Sequence, residues 1–72
     1  MSIETARLWR DKEQNVYGVE KSARTGLWIV IRTNEGGNRK GFKQIPPENR
    51  QDRAQLALDC HAAKAGWTEI PA

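Results

Sequence analysis

The sequence predicts an α+β domain: an antiparallel β-sheet of three or four strands followed by one C-terminal α-helix packed on one face. Residues 27–31 form an apolar run between Gly26 and a polar, glycine-containing segment, which is typical of a central strand. A helical stretch follows between Asn49, a good N-cap, and Gly66, a good left-handed C-terminal residue. At 72 residues, the chain fits one small domain over 1–72.

Short polar connections separate the predicted strands, which lie at residues 16–21, 26–33 and 39–45. Connections this short predict antiparallel pairing, because a parallel pair needs a long crossover. Weak alternation of apolar and polar residues over residues 5–10 predicts either an extra strand or an extended arm. The predicted sheet therefore has three or four strands. Pro46 and Pro47 end the last strand, since proline cannot donate to the ladder. Residues 71–72 are predicted to be a tail.

The central strand alternates between two faces, so Leu27, Ile29 and Ile31 lie together and oppose Trp28, Val30 and Arg32. We assign the aliphatic triplet to the core, because it packs without leaving a polar tip or a charge to satisfy. The other face then presents a tryptophan beside an arginine. The side chains predicted to be buried are Leu27, Ile29, Ile31, Leu58 and Trp67.

The net charge of +3 is unevenly distributed along the chain. Residues 1–45 hold nine basic and five acidic side chains, a balance of +4, whereas residues 46–72 hold three basic and four acidic ones. The positive charge therefore belongs to the strands. Such a distribution is typical either of a sheet that faces a polyanion or of a solvated face whose lysines prevent edge-to-edge aggregation.

The residue pattern argues against catalysis, a metal site or a cofactor. Cys60 and His61 are neighbours on a helix, where consecutive side chains diverge by about 100°, so they cannot act as nucleophile and base. With one cysteine and one histidine, the chain lacks the usual zinc ligands and cannot form an internal disulfide. No leader or membrane-spanning pattern is present, so we expect a cytoplasmic protein without membrane contact.

Three short motifs resemble the APETALA/ethylene-response-factor DNA-binding domain and the similar sheet-plus-helix modules of phage and transposon integrases, over about residues 16–66. They are Tyr17-Gly18-Val19, Gly26-Leu27-Trp28, and Ala54, Ala57-Leu58-Asp59 and Ala62-Ala63 on the helix. In that family the sheet lies in the major groove of double-stranded DNA, and the helix braces it. The resemblance implies a nucleic-acid-binding surface formed by Trp28, Arg32, Lys21, Arg24, Arg39, Lys40 and Lys43.

Two functions remain open from the sequence. The first is a non-enzymatic nucleic-acid-binding module that uses the basic sheet face containing Trp28. The second is a protein-interaction or accessory domain in which Trp9 or a second copy of the chain covers that same face. We expect a monomer or a weak homodimer, because Lys40 and Lys43 on the edge strand oppose edge-to-edge pairing.

Overall fold

The computed structural model describes residues 7–70. This part of the chain folds into an open five-stranded antiparallel sheet and one helix, which confirms the α+β class and adds a strand to the predicted count. The sheet order is β4-β3-β2-β1-β5. The elements are β1 (Leu8–Arg10), β2 (Val16–Lys21), β3 (Trp28–Thr33), β4 (Arg39–Gly41), α1 (Gln51–Ala65) and β5 (Thr68–Ile70).

The edge strand β4 ends earlier than predicted, at Gly41 rather than at residue 45. The Phe42 amide still donates to the Val30 carbonyl at 2.8 Å, after which the chain leaves the sheet edge. It returns at Glu48, whose backbone pairs in both directions with that of Trp28 at 2.7 and 2.9 Å. Strand β2 has the predicted bounds, whereas β3 begins at Trp28 rather than at Gly26. The start of the predicted extra strand, residues 5–6, and the predicted tail, residues 71–72, lie outside the described residues.

Strand β5 was not predicted, because its three residues are too few to show alternation. It forms because Gly66 adopts φ 77° and turns the chain back toward the sheet. The Trp67 amide donates to the Ala62 carbonyl at 3.0 Å across this reversal. The chain then runs antiparallel to β1, with Ile70 opposite Leu8.

The predicted helix is confirmed within one residue at each end, including its left-handed terminal glycine. The predicted N-cap was wrong. Arg50, not Asn49, occupies that position in an extended conformation, and no side chain caps the first turn. The Arg50 guanidinium instead donates twice to the Asp52 carboxylate at 3.1 Å, where the carboxylate also complements the positive end of the helix dipole.

The helix packs on the face of β3 opposite to the one predicted. Val30 is only 1% exposed, whereas Ile29 and Ile31 point away from the helix and are half-buried, as is Leu27. Burial of Leu58 is confirmed, and Trp67 is half-buried at the edge of the core. The buried side chains are Tyr17, Val30, Ile45, Ala54, Leu58 and Ala62.

The register of the β2–β3 pair explains this face choice. Val19 lies opposite Val30, and Tyr17 lies opposite Arg32, so Tyr17 and Val19 share a face with Val30. The Tyr17 ring stacks on Trp67 at a centroid distance of 4.0 Å, and Phe42 meets its edge at 5.1 Å. These aromatic rings supply the bulk of the core, so two of the three buried positions of the helix, Ala54 and Ala62, can be alanines that allow a close approach to the sheet.

Candidate functional site

A row of small and aliphatic residues crosses the sheet face that the helix leaves open. Each member of the row lies beside the next on the neighbouring strand, because antiparallel register partners share a face. From β5 to β4 the row is Ile70, Leu8, Gly18, Ile31 and Gly41. We call this surface, together with its flanking residues Val16 and Ile29, the open face.

Glycine at the centre of the row lets Leu8 cover β2. A Cβ atom added to Gly18 would lie 2.6 Å from Leu8 Cδ2, so the leucine side chain occupies the space that any larger residue would fill. Leu8 is 40% exposed even so. Beside it lies a shallow cleft of about 240 Å³, whose lining residues include the aliphatic Val16 and Ile31 and the charged Glu20 and Arg39. The open face is therefore a largely apolar surface in contact with solvent.

Two opposite charges flank Ile31 on the open face. Glu20 on β2 is opposite Ile29, and Arg39 on β4 is opposite Thr33. The two charged residues therefore lie diagonally on either side of Ile31. Their side chains form an ion pair across the strand, and each is about half exposed. Arg39 was predicted to contact nucleic acid, but it is engaged with this carboxylate.

The other predicted site residues lie at two ends of the opposite, helix-covered face. Trp28 is half-buried at one end, where the Lys21 ammonium lies 6.0 Å from its ring centroid. At the other end, Arg32 and Lys40 are register partners, and both are exposed. Arg24 lies in the β2–β3 turn and Lys43 in the loop after β4. The structure therefore does not gather the seven residues on one face.

Trp9 was considered as a cover for Trp28, but it is bound elsewhere. It lies on the helix side of β1, and its indole N–H donates to Asp59 Oδ1 at 2.9 Å. The same carboxylate accepts hydrogen bonds from Arg7 at 2.8 Å and from Gln55 at 2.9 Å. Asp59 therefore joins the helix to β1, with β2 standing between this cluster and β3.

A second polar cluster lies at the β1–β2 turn. One Asp11 oxygen accepts the amides of Glu13 and Asn15 at 2.9 Å, and the other accepts the Tyr17 hydroxyl at 2.8 Å. Burial acts to raise the pKa of Asp11, but its hydrogen bonds together hold that pKa below 3.8. Burial, with the hydrogen bond to Asp11 and its negative charge, raises the pKa of Tyr17 to about 12. This cluster fixes the turn.

Within residues 7–70, no group of three histidine, cysteine or acidic side chains could hold a metal ion. Over the same range, no helix is long and apolar enough to span a membrane. Cys60 is exposed on the helix, and the His61 ring packs 5.3 Å from Phe42 instead of facing the thiol.

A scan against protein families, a search of curated proteins and a search of solved structures find no match to this chain. The resemblance to DNA-binding sheet-plus-helix domains therefore remains a prediction from short motifs.

Proposed function

We propose that the chain is a non-enzymatic binding module whose open face binds protein. One observation carries this proposal: the face that the helix leaves open has a contiguous aliphatic centre, and its polar residues Arg10, Glu20, Thr33, Arg39 and Thr68 surround that centre. A half-covered antiparallel sheet ordinarily alternates apolar residues toward the core with polar residues toward water. Here the open side carries Leu8, Val16, Ile29, Ile31 and Ile70. A contiguous apolar patch of this kind is typical of an interaction surface.

The outer side of the helix provides a useful contrast. Leu56 is 63% exposed there, but it stands alone among polar and small neighbours. Single exposed leucines are common on protein surfaces and indicate no partner. Leu56 is therefore a matched control for Leu8, which is the other exposed large apolar side chain among residues 7–70.

Site-specific photocrosslinking tests this proposal. A photoreactive phenylalanine analogue at position 8 should give a discrete protein adduct that excess wild-type chain suppresses and excess Ile31→Lys chain does not. The same analogue at position 56 should give no such adduct, because that leucine lies outside the open face. The absence of an adduct from position 8, or an equal yield from both positions, would contradict the proposal. The adduct mass identifies the partner.

A second candidate function, nucleic-acid binding, is favoured by one specific observation. Arg32 and Lys40 lie side by side at the β3–β4 edge, and neither forms an ion pair with a carboxylate among residues 7–70. Lys43 follows in the next loop, whereas Lys21 and Arg24 lie at the other end of the β2–β3 hairpin. Unpaired cations on a sheet edge suit contact with phosphates.

Titration of labelled duplex DNA at several salt concentrations tests this second function. With about four phosphate contacts, the logarithm of affinity should fall with that of salt concentration with a slope of about −4. Lys40→Ala should reduce that slope by about one unit and weaken all sequences equally. Lys64→Ala, at the end of the helix and outside this edge, is the control. An affinity that does not change with salt concentration, or equal effects of Lys40→Ala and Lys64→Ala, would exclude the β3–β4 edge as the contact surface.

A further inference from the structure

We infer that a pocket at the outer edge of β3 binds a small apolar carboxylate, which accepts a hydrogen bond from the Val30 backbone amide. The pocket has a volume of about 300 Å³, and its walls include the apolar residues Ile29, Phe42, Ile45 and Pro47. This inference goes beyond the proposed function and does not depend on it, because the occupant is a small molecule rather than a protein.

The pocket exists because the chain leaves the edge of β3 for five residues. The last hydrogen bond before this gap is the one that the Phe42 amide donates to the Val30 carbonyl at 2.8 Å. Residues 43–47 then lie away from the sheet ladder, and pairing resumes where Glu48 exchanges two backbone hydrogen bonds with Trp28. Between these two contacts, the Val30 amide is the backbone donor of β3 that faces the gap.

The Val30 amide has no acceptor in the gap. In an antiparallel pair, the N–H and C=O groups of one residue point toward the same neighbouring strand, so this N–H faces the same side as the Val30 carbonyl. The Phe42 carbonyl would ordinarily accept it, but that oxygen instead lies 3.5 Å from the Ile45 amide nitrogen across a turn. Among residues 7–70, no group accepts the Val30 amide. Val30 is only 1% exposed, and buried amides are nearly always paired, so an acceptor from outside the chain fits here.

The size of the pocket favours a small organic molecule over a single water or a peptide. One buried water needs only about 10–15 Å³ of such space, whereas ligand pockets begin near about 300 Å³. An added peptide strand needs a row of free amides and carbonyls on the sheet edge. The edge on either side of the gap is already paired with Phe42 and Glu48. The occupant is therefore a compact molecule with one acceptor group and an apolar body.

Lys43 favours an acceptor that carries negative charge. It is the one charged residue among those described residues that line the pocket. The nearby acids do not oppose an anion, because Glu20, opposite Ile29, forms an ion pair with Arg39, and Glu48 does not line the pocket. A carboxylate can accept the hydrogen bond of an amide and attract an ammonium group at the same time. These features together fit an apolar carboxylate.

Amide-resolved NMR titration with hexanoate tests the inference. The Val30 amide proton should shift downfield by at least about 0.3 ppm, because it gains a hydrogen bond to a charged acceptor. The shift should saturate with a dissociation constant on the order of 1–10 mM, as is typical of so small a ligand. Hexylammonium has the same apolar chain without an acceptor and should leave this proton unshifted. A Val30 amide that does not respond to hexanoate, or that responds equally to hexylammonium, would overturn the inference.

Two substitutions and a matched control complete the experiment. Gly41 also lines the pocket, and a Cβ added to it would meet nothing within 4 Å, so Gly41→Val adds a side chain at the pocket wall without a clash in the protein. It should weaken hexanoate binding at least about tenfold by occupying ligand space. Lys43→Ala should weaken binding about threefold through loss of an exposed charge. Lys64→Ala, at the end of the helix, should leave the affinity unchanged.

Amide spectra of the free variants confirm that each is folded. Unchanged hexanoate affinity in Gly41→Val or in Lys43→Ala would overturn the inference. The photocrosslinking result at position 8 is independent of this titration, so failure of the pocket and failure of the protein-binding open face are distinguishable.

Discussion

Asp11 and Tyr17 show how single side chains fix one end of the sheet. Asp11 lies in the β1–β2 turn, and its carboxylate accepts a hydrogen bond from the hydroxyl of Tyr17, the second residue of β2. Tyr17 is only 3% exposed, and its ring also stacks on Trp67. This hydrogen bond therefore satisfies the polar end of a buried core side chain. Ionisation of the hydroxyl removes the bond and destabilises the folded state.

The first prediction concerns this hydroxyl. The chain has one tyrosine, so tyrosinate absorbance reports Tyr17 alone. The pKa of Tyr17 should be about 12 in the folded protein, against 10.0 in the unfolded chain, because of burial and the Asp11 carboxylate. A raised folded-state pKa means that this contribution to stability is complete below pH 10 and is lost as pH rises toward 12.

Asp11→Asn is the control for this titration. Removal of the carboxylate charge should lower the pKa of Tyr17 while leaving the effect of burial. The pKa of Asp11 itself is held below 3.8, so its own contribution should be complete above that value and decline as pH falls below it. A wild-type tyrosine that ionises at the pH of free tyrosine would show that the hydroxyl is neither buried nor bound to Asp11.

At the scale of elements, Asp59 links the helix to β1. Its carboxylate accepts hydrogen bonds from Trp9, Arg7 and Gln55, although it lies beside the buried stripe of the helix. Asp59 is half-buried, whereas Asp52 in the first turn is exposed and bonds only to Arg50 among the described residues. These two aspartates therefore form a matched pair on one helix.

The second prediction uses this pair. Asp59→Ala should lower the free energy of unfolding by about 1–3 kcal/mol, because the part-buried indole N–H of Trp9 loses its acceptor. Asp52→Ala should change the same free energy by at most about 0.5 kcal/mol, since its ion pair is exposed. Urea denaturation followed by circular dichroism measures both. Equal losses would show that Asp59 does not anchor β1.

Element bounds that depend on local chemistry were predictable. Gly66 ends the helix because a glycine tolerates φ 77°, and this signal is present in the residue itself. The length of β4 was not predictable, because it depends on the distant backbone of Glu48 pairing with Trp28. Strand β5 likewise exists only because the chain returns beside β1. The sequence of three residues does not predict such a long-range contact.

For the whole molecule, the decisive error was the choice of face on β3. Trp28, Ile29, Val30 and Ile31 are apolar on both sides of the strand, so period-two alternation shows two faces without saying which one is covered. The missing information was the register with β2, which sets Val19 opposite Val30 and Gly18 opposite Ile31. That register follows from the β2–β3 turn, in which the Ser22 amide donates to the Leu27 carbonyl at 2.7 Å.

The candidate site moved from the Trp28 side of β3 to the Ile31 side, because the helix covers the Trp28 side. The sequence identified the basic residues but not their partners, because the Arg39–Glu20 ion pair crosses β3 diagonally and requires the assembled sheet. Leu8 and Ile70 could not be recognised as surface neighbours until β5 paired with β1. Gly18 was the one local signal, since a glycine within a strand indicates a close approach by another group, and Leu8 makes that approach.

The central claim is that the two sides of β3 have different roles: Val30 in the core and Ile31 at a binding surface. Chemical denaturation of Val30→Thr and Ile31→Thr, each compared with wild type at the same protein concentration, tests it most directly. Threonine keeps the β-branch, so strand propensity is matched. Val30→Thr should lose about 1–3 kcal/mol by burying a hydroxyl. Ile31→Thr should lose less than about 1 kcal/mol, because its side chain is only half-buried. Equal losses, or a larger loss for Ile31→Thr, would contradict the claim.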